Sequence, residues 1–575
     1  KGKQFNLGIH CYGDIYEPRG HKYIVDFSAD PVPQITYKVG EMLFRKSILL
    51  AQDRDQVLVK YELLSSPAPA KLVLKPFLAF RNTHSLTYQN PDANTKGNAI
   101  QGGMAFRMYA NFPDLNLQVS DSKAKFIEEP YWNNNITYSD EYRRGFDCRE
   151  DLLVPGWFEC SLKEGGSVVF SASLSQEETA GLKRRFTSGV KAIGEITGYR
   201  DQLRRCADSL ITDHNGRKKI SAGLTWMYTG LLRETLVSLA GLSLYGLDNP
   251  KMFEEILDNL IADQQERLFR RTTQVEAPLY MACTLQDYID YGADEKAVWK
   301  KYGVIMRGII ESYLPGERAE IAMQPNGLLW AQKDGTALTW MNAYSNGCPV
   351  TERAGYQVET NALWYNAICF VLEMEEKYGT KKSQFVSKWS AIRDLVKANY
   401  QETFWNAERG CLADYVDNAG QNMDIRPNQL CPLACKYSPL DEELTPSILR
   451  VVSNELVTSR GIRTLSPRDS KYKGVYEGTQ IDRDLAYHQG CTRPCLLEPY
   501  VKVALNVKGP SFVKKAESLV EGFYEDLGQH GVGAFSELYD GDPPHAPHGA
   551  ISSALSTAAL LSVERMLDKY REDGK

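Results

Sequence analysis

The spacing of the apolar residues changes near position 175, and this change constrains the fold more than any other feature of the sequence. From about Phe5 to Leu174, apolar and polar residues alternate in short runs separated by Pro, Gly, Asp and Asn. From about Ser175 onward, apolar residues recur at helical spacing in roughly ten to twelve stretches. Alternation predicts strands with one buried face, whereas helical spacing predicts amphipathic helices. The sequence therefore predicts an antiparallel β-sandwich followed by an all-α domain.

The connections between the predicted helices are long, polar and rich in aromatic residues. A bundle with short loops does not need such connections, so we expect helical hairpins that close into a toroid. Because the chain has 575 residues, more than one core is expected. We predict a β-sandwich at 1–175, a linker helix region at 176–210 and a helical barrel at 211–575. Loops at one end of the barrel would then line a pocket.

Charge and hydropathy exclude several classes of partner. Lys and Arg number 67 against 73 Asp and Glu, which gives a net charge of −6 without any long basic run. A nucleic-acid-binding protein would normally carry a basic patch, so we expect no nucleic-acid partner. No apolar run has the length needed to span a bilayer, so we expect no membrane partner either. A neutral or small polar substrate fits this composition better, and the oligomeric state stays open.

The cysteines and histidines predict neither a disulfide framework nor a metal site. The twelve cysteines include no Cys-x-x-Cys pair, and two Cys-x-x-x-Cys spacings lack the neighbouring ligands of a tetrahedral site. The pair His545 and His548 lacks a third ligand as well. Phosphate-binding glycine loops are also missing, so we expect no cofactor and no metal. We predict a reduced, cytoplasmic protein. Since the chain begins at Lys1 rather than Met, we expect its natural start to be missing, and export stays open.

The segment 326–366 combines aromatic rings with carboxylates, amides and an arginine. Its rings are Trp330, Trp340, Tyr344, Tyr356, Trp364 and Tyr365. A pyranose offers apolar C–H faces to such rings and hydroxyls to the polar groups, so the segment suits a sugar site. The alternative is a buried aromatic cluster with solvated charges around it.

Seven motifs occur in the order found in one known family. The first, in the predicted sandwich, is YWNNNITYSDEYRRGFDCREDLLVPG. The others are NGLLWAQKDGTALTWMNA, PVTERAGYQVETNALWYNA, DIRPNQL, RTLSPRD, AYHQG and FSELYDGDPPHAPHG. Together they resemble the glycogen debranching enzyme family, specifically its amylo-α-1,6-glucosidase module. The resemblance covers nearly the whole chain and implies an (α/α)6 barrel that acts on an α-glucan.

The family resemblance also implies roles for particular residues. An inverting glycosidase needs one carboxylic acid and one carboxylate base, roughly 6.5–9.5 Å apart. By motif position, Glu537 takes the role of the base and Asn342 stands at the position of the acid. The pocket residues implied in the same way are Arg233, Glu234, Trp340, Arg353, Glu359, Tyr487, His488 and Gln489. If the family resemblance is set aside, the alternative for Glu537 is a carboxylate that caps a helix starting near Gly549. The alternative for His488 is a structural residue.

The acid position is the main departure from the family, whose members have Asp where this chain has Asn342. An amide has no proton of suitable acidity, and general-acid catalysis contributes typically around 10²–10⁴-fold. Three explanations stay open. Another carboxylate (Asp334, Glu352 or Glu359) reaches the glycosidic oxygen, the leaving group needs no acid, or the protein binds glucan without cutting it.

Other departures change the predicted pocket. The family motif WGRD is LLRE here, which keeps Arg233 but places Glu234 at the Asp position. DAPLW becomes VEAPLY with Glu276, and WPW becomes RPC with Arg493 and Cys495. Our first hypothesis is an inverting exo-acting hydrolase that removes α-1,6-linked glucose from glycogen-like limit dextrins. The alternatives are a catalytically weak glucan-binding paralogue and a related barrel glycosidase or phosphorylase for another linkage or sugar.

Overall fold

Residues 3–379 and 383–573 are described by a computed structural model of the chain. The chain divides into two compact units, Lys1–Thr197 and Gly198–Lys575. Of the two helices in the predicted linker region, Leu182–Ile193 falls in the first unit and Tyr199–Ser209 in the second. Within the described residues, no helix is long and apolar enough to cross a membrane.

The first unit contains three antiparallel sheets. The largest has eight strands, in spatial order Ile24–Ser28, Gln34–Val39, Met42–Leu50, Gln56–Ser65, Ser167–Ser173, Leu115–Val119, Gly103–Phe106 and Gly97–Ile100. The second has three strands, in the order Lys125–Thr137, Arg149–Leu162 and Ala70–Leu74. A hairpin pairs Ile9–Tyr12 with Ile15–Arg19. A short helix, Ser139–Arg143, connects the two long strands of the second sheet.

The two larger sheets bury a common core, as alternating strands require. Leu63, Phe106 and Leu117 of the eight-stranded sheet pack in one cluster with Leu153 and Phe158 of the three-stranded sheet. On the other face of the large sheet, a second cluster joins strand residues to the helix Leu182–Ile193. The predicted antiparallel β-sandwich is confirmed.

The second unit is built on a ring of helices. Within its described residues, six helices each contact the next and the last contacts the first. In ring order they are Leu232–Leu239 (continued by the π-helical turn Ala240–Gly246), Tyr280–Tyr291, Val358–Tyr378, Cys431–Ala434, Leu497–Lys508 and Ala554–Asp573. Outer helices pack against them, namely Tyr199–Ser209, Pro250–Asp263, Glu295–Glu311, Gln384–Phe404, Thr445–Glu455 and Val513–Glu521. This arrangement is the (α/α)6 barrel that the family resemblance implied.

Capping residues fix where several helices begin. Asn249, Asp294 and Ser383 each accept a hydrogen bond from a backbone N–H in the first turn of the helix that follows. Thr479 and Asp482 form a reciprocal capping box at the start of the short helix Gln480–Ala486. A further short helix, Gln265–Phe269, precedes the loop that leads into Tyr280–Tyr291. The first three caps therefore fix the starts of outer helices of the barrel.

Candidate active site

A cavity of about 330 Å³ lies within the second unit, at the N-terminal ends of the inner helices. Loops that precede five of the six inner helices contribute to its wall. The polar and aromatic lining residues are Arg233, Glu234, Arg267, Thr272, Thr273, Gln274, Trp340, Asn342, Tyr487, His488, Arg493, Glu537 and Ser553. Met227, Leu231, Leu232, Cys495 and Leu555 are among its apolar lining. The cavity has the size of a small-ligand site.

A small five-stranded sheet places Glu537 beside Arg493. Arg493 ends the strand Thr492–Arg493, and Glu537 immediately precedes the strand Leu538–Tyr539. These two strands are antiparallel neighbours, with Thr492 opposite Tyr539. Side chains at matched ends of neighbouring strands lie close together. The sheet therefore brings the two charged groups to the same wall of the cavity.

Three donors hold the Glu537 carboxylate. Arg493 Nη1 donates to Oε1 at 2.8 Å, and the Tyr487 hydroxyl donates to the same oxygen through a short hydrogen bond. The backbone N–H of Ala550 donates to Oε2 at 3.1 Å. An ionised carboxylate has about four acceptor positions, so one is left for a ligand, and Glu537 lines the cavity. The inner helix begins at Ala554, so Glu537 does not cap a helix that starts near Gly549.

Arg493 is held between Glu537 and the ring of Tyr487. Its guanidinium lies 4.0 Å from the Tyr487 ring centroid, which is cation–π contact. Burial acts to lower the pKa of Arg493, but the neighbouring Tyr487 and Glu537 raise it above its ordinary value. The arginine is therefore a fixed positive charge next to the candidate base.

Arg233 and Glu234 form a second charge pair on the cavity wall, at the start of the helix Leu232–Leu239. Arg233 Nη2 donates to Glu234 Oε1 at 2.6 Å, and both side chains are largely buried. Asn342 lines the same cavity from the loop that precedes Val358–Tyr378, and it is exposed. Asn342 and Glu537, the positions for which the family resemblance implied an acid and a base, therefore lie in one cavity with this pair.

His488 is a neutral part of the wall. Burial, and then the surrounding arginines with Arg493 first, lower its pKa well below the ordinary value of 6.5. Its ring packs edge-on against Trp340, with 5.2 Å between the ring centroids. In the described part of the chain, neither ring nitrogen has a hydrogen-bond partner. His488 can therefore donate one hydrogen bond to a ligand and accept another.

Five other predicted residues divide between the cavity wall and the structure behind it. Tyr487 and Trp340 line the cavity. Arg353, Glu359 and Gln489 are buried and are not among the lining residues. Gln489 accepts a hydrogen bond from Arg426 at 2.6 Å. Of the six rings singled out in segment 326–366, Trp340 lies in the wall, whereas Trp364 is fully buried in the barrel core.

The buried residues support Trp340 through a chain of polar contacts. Arg353 donates to Glu359 at 2.5 and 2.7 Å and to Asp414 at 2.6 Å. Asn428 donates to Asp414 at 2.7 Å and accepts from the Trp340 indole N–H at 2.8 Å. Each partner is satisfied by its neighbour, which makes such a network rigid. Arg353 and Glu359 thus orient a wall residue from behind.

None of the three carboxylates considered as replacement acids belongs to the cavity lining. Glu359 is 2 % exposed and both of its oxygens accept from Arg353. Glu352 and Asp334 are exposed on a loop, where Glu352 accepts from the backbone N–H of Gly335 at 3.2 Å. A group that protonates a glycosidic oxygen must come within hydrogen-bond distance of it. In this conformation these three side chains do not line the space where that oxygen would lie.

Glu276 is a buried carboxyl group behind the wall. It precedes the inner helix Tyr280–Tyr291 and is fully buried. Burial raises its pKa from 4.5 to about 7, although the charge of Arg233 opposes the rise. Neither oxygen finds a hydrogen-bond donor among the described residues.

Sequence reasoning did not select several residues of the wall. Arg267, Thr272, Thr273 and Gln274 come from the connection between Pro250–Asp263 and Tyr280–Tyr291. The motif VEAPLY at the end of that connection drew attention to Glu276 but to none of these four residues. Arg493 was noted as a departure from the family without being assigned to the site, and its charge at an aromatic position was the available signal. Across the residues described, no group of three or more His, Cys, Asp or Glu side chains is arranged to hold a metal ion.

Comparisons with known proteins agree with this architecture. Residues 203–562 match the family described as amylo-alpha-1,6-glucosidase, and residues 1–169 match the family described as glycogen debranching enzyme N terminal. No curated protein matches the sequence significantly. A bacterial glucoamylase, crystallised with acarbose, is similar in structure with a TM-score of 0.56 and 11 % identity. The similarity covers 96 % of this chain and 85 % of the glucoamylase.

A second similar structure is an uncharacterised conserved protein from Thermus thermophilus. Its TM-score is 0.45 at 10 % identity, with 63 % of this chain and 100 % of that protein covered. At such low identities, structural similarity concerns the fold alone.

Proposed function

The chain belongs to the amylo-alpha-1,6-glucosidase family of glycoside hydrolases, and on this premise we propose that it removes α-1,6-linked glucose from branched glucans by exo-acting, inverting hydrolysis. The observation that carries the proposal is the single cavity of about 330 Å³ that contains Glu537, Asn342, Arg233 and Trp340 together. A cavity of this size accommodates one terminal sugar, which is what an exo-acting enzyme binds. Glycogen-like limit dextrin is the proposed substrate.

Glu537 is the proposed general base. Its carboxylate keeps one acceptor position toward the cavity, where a water molecule can be held for attack. The hydrogen bond from Tyr487 and the ion pair with Arg493 fix the orientation of the carboxylate. Because the Asn342 amide has no proton of suitable acidity to deliver to the glycosidic oxygen, we expect slow turnover.

Trp340 and His488 are the proposed sugar contacts beside the charge pairs. The indole offers a flat apolar face to the C–H groups of a pyranose, and its N–H is already occupied by Asn428. Neutral His488 and the Arg233–Glu234 pair offer donors and acceptors for hydroxyl groups. In this arrangement, Arg353, Glu359 and Gln489 act on the sugar only through the residues that they position.

A second function is favoured by one pair of observations. Asn342 stands at the acid position, and Glu537 is engaged by three donors. A site with no acid and a restrained base binds sugar better than it cleaves glycosidic bonds. The second candidate is therefore a glucan-binding protein with little or no turnover.

Glucose release from phosphorylase limit dextrin separates the two candidates. We expect slow release by the wild type and loss of release in Glu537→Gln. Asn342→Asp is expected to raise the rate by about 10²–10⁴-fold, the usual contribution of a general acid. A silent wild type with an active Asn342→Asp variant would establish the binding protein instead. Undiminished release by Glu537→Gln would refute the assignment of the base.

A further inference from the structure

The cavity wall carries more positive than negative charge. Its charged lining residues are three arginines (Arg233, Arg267 and Arg493) and two glutamates (Glu234 and Glu537). Because each glutamate is paired with a buried arginine, at 2.6 and 2.8 Å, the negative charges are already compensated. His488 adds no charge, since burial and the arginines lower its pKa well below 6.5. One surplus positive charge stays in the wall.

The wall also presents hydrogen-bond donors that have no acceptor. Among the residues described by the structure, Nε of Arg233 and Nε of Arg493 are buried and unpartnered. Arg493 is 7 % exposed, so water reaches it poorly. Leaving buried charged donors unpaired is costly, which indicates that a ligand supplies the acceptors. The two observations, surplus charge and surplus donors, are independent of each other.

We propose that this cavity binds an oxyanion, a carboxylate or phosphate group, with Arg493 as the residue that selects it. The oxyanion is either a substituent of the bound sugar, as in a uronate or a sugar phosphate, or a free anion beside the sugar. Guanidinium N–H groups match carboxylate and phosphate oxygens in geometry and charge. The inference rests on the proposed function in one respect, namely that this cavity is the saccharide site.

A neutral sugar does not use the surplus charge. A hydroxyl oxygen can accept a hydrogen bond from the Nε–H of Arg233 or Arg493. Because the hydroxyl is neutral, it gains no binding energy from the positive charge of Arg267. An oxyanion gains from Arg233 and Arg493, which are largely buried and so poorly screened by salt, and to a smaller extent from the exposed Arg267. The fixed orientation of Arg493, on the Tyr487 ring and against Glu537, means that little side-chain entropy is lost on binding.

The test compares matched neutral and acidic ligands by isothermal titration calorimetry of the whole chain at low ionic strength. The ligands are glucose, glucuronate, glucose 6-phosphate and inorganic phosphate. We expect the acidic sugars to bind at least about tenfold more tightly than glucose, which corresponds to about 1.4 kcal/mol. The preference should weaken as salt is added. Equal or tighter binding of glucose, or no binding of any anion, would overturn the proposal.

Variants test whether Arg493 causes the preference for acidic ligands. Arg493→Gln is expected to abolish it, whereas Arg468→Gln, which removes an equal charge from a side chain that is 80 % exposed, should retain it. Because Arg493→Gln leaves Glu537 unpaired, the double variant Arg493→Gln/Glu537→Gln is measured as well. It removes the whole pair and should also lose the preference. An unchanged preference in the double variant would show that Arg493 is not the selecting residue.

The same ligands show whether the oxyanion is part of the sugar or a separate ligand. They also separate failure of this inference from failure of the proposed function. If inorganic phosphate binds as tightly as glucose 6-phosphate, the anion is a separate ligand, and otherwise it is part of the sugar. Since binding is measured at equilibrium, a protein that selects anions but releases no glucose contradicts only the proposed hydrolysis. A protein that hydrolyses limit dextrin with no anion preference contradicts only this inference.

Discussion

Arg493 determines how much of the Glu537 carboxylate is available to a ligand. It occupies one position of Oε1 at 2.8 Å and supplies a fixed positive charge beside it. An aromatic residue at this position, as in the family motif, would supply stacking area but no charge. One substitution therefore changes both the contacts of the candidate base and the kind of group that the wall attracts.

Removal of Arg353 tests whether the network behind Trp340 is rigid. Arg353 and its partners Glu359 and Asp414 are almost completely buried. Arg353→Ala leaves two buried carboxylates without their counter-ion, so we expect the free energy of unfolding to fall by about 3–5 kcal/mol. Urea denaturation followed by circular dichroism measures the loss.

Lys333→Ala is the control for this prediction. Lys333 pairs with Glu320 at 3.5 Å, but its side chain is 52 % exposed. Exposed pairs contribute about 0–1 kcal/mol, so this variant should unfold nearly like the wild type. If the two variants lose similar stability, the buried network does not have the role given to it here.

The carboxyl of Glu276 predicts a dependence of stability on pH. Burial raises its pKa in the folded protein to about 7, from 4.5 in the unfolded chain. Below pH 4.5 both states hold the proton. As the pH rises from 4.5 to 7, the unfolded chain ionises first, so the folded state loses stability, and above pH 7 the loss is complete at about 3 kcal/mol.

The variant Glu276→Gln removes this dependence because the amide does not titrate. Compared with the wild type, it should gain stability progressively between pH 4.5 and 7 and keep the gain at higher pH. Thermal unfolding at several pH values measures the difference, and other titrating groups cancel in the comparison. A difference between the two proteins that stays constant with pH would contradict the shifted pKa of Glu276.

At the same scale, the wall residues that the sequence did identify were found mainly through the family motifs. Glu537, Tyr487 and His488 lie in short motifs whose order was recognisable. Arg267 and Gln274 precede the VEAPLY motif of their connection, and their approach to the cavity depends on how the helix Pro250–Asp263 packs. The positions of Arg353 and Glu359 behind the wall depend on side-chain pairing in three dimensions. Sequence spacing does not encode that pairing.

At the scale of elements, a turn positions the Glu537 carboxylate. Gly549 follows the strand Pro547–His548 and has a positive φ of +72°. A Cβ at this position would lie 2.5 Å from Oε2 of Glu537. The close approach lets the backbone N–H of the next residue, Ala550, donate to that oxygen. A glycine is required here by both conformation and space.

Gly549→Ala should therefore destabilise the protein more than a glycine substitution with backbone strain alone. Gly335 supplies the matched control, since its φ is +64° and nothing lies within 4 Å of a Cβ there. We expect about 1 kcal/mol of lost stability in Gly335→Ala from the strained φ. Gly549→Ala should lose about 1–3 kcal/mol more, from the steric conflict with Glu537. Urea denaturation measures both losses. If the two variants lose equal free energy of unfolding, the turn at Gly549 accommodates the methyl group without a steric cost.

The alternation of residues and the helical spacing were sufficient to predict strands and helices, but not their partners. The short inner helix Cys431–Ala434 has only four residues, too few for a periodic pattern. The five-stranded sheet that places Arg493 beside Glu537 consists of strands of two or three residues from distant parts of the chain. Such pairings follow from the closed ring of helices rather than from local sequence.

At the scale of the whole molecule, each unit has its own hydrophobic core. The barrel cluster contains residues from Tyr199 to Leu567, and the sandwich clusters contain residues of the first unit alone. The residues that line the cavity run from Ala222 to Leu555, so the wall is formed within the second unit. Each unit therefore has its own core for cooperative folding, whereas ligand binding in this cavity depends on residues of the second unit.

Separate expression tests this division. A fragment of residues 198–575 retains the complete barrel cluster and the complete cavity lining, and a fragment of residues 1–197 retains both sandwich clusters. We expect each fragment to show a cooperative thermal transition, because its apolar side chains find their partners within the fragment.

Binding by the barrel fragment is the sharper readout. Its affinity for glucuronate should equal that of the whole chain within about threefold, since a factor of three is less than 1 kcal/mol and no lining residue has been removed. The Arg493→Gln variant of the fragment is the control for specific binding. A barrel fragment that unfolds cooperatively but binds no ligand, while the whole chain binds, would mean that residues before 198 complete the site. A fragment without a cooperative transition would mean that the barrel core depends on the first unit.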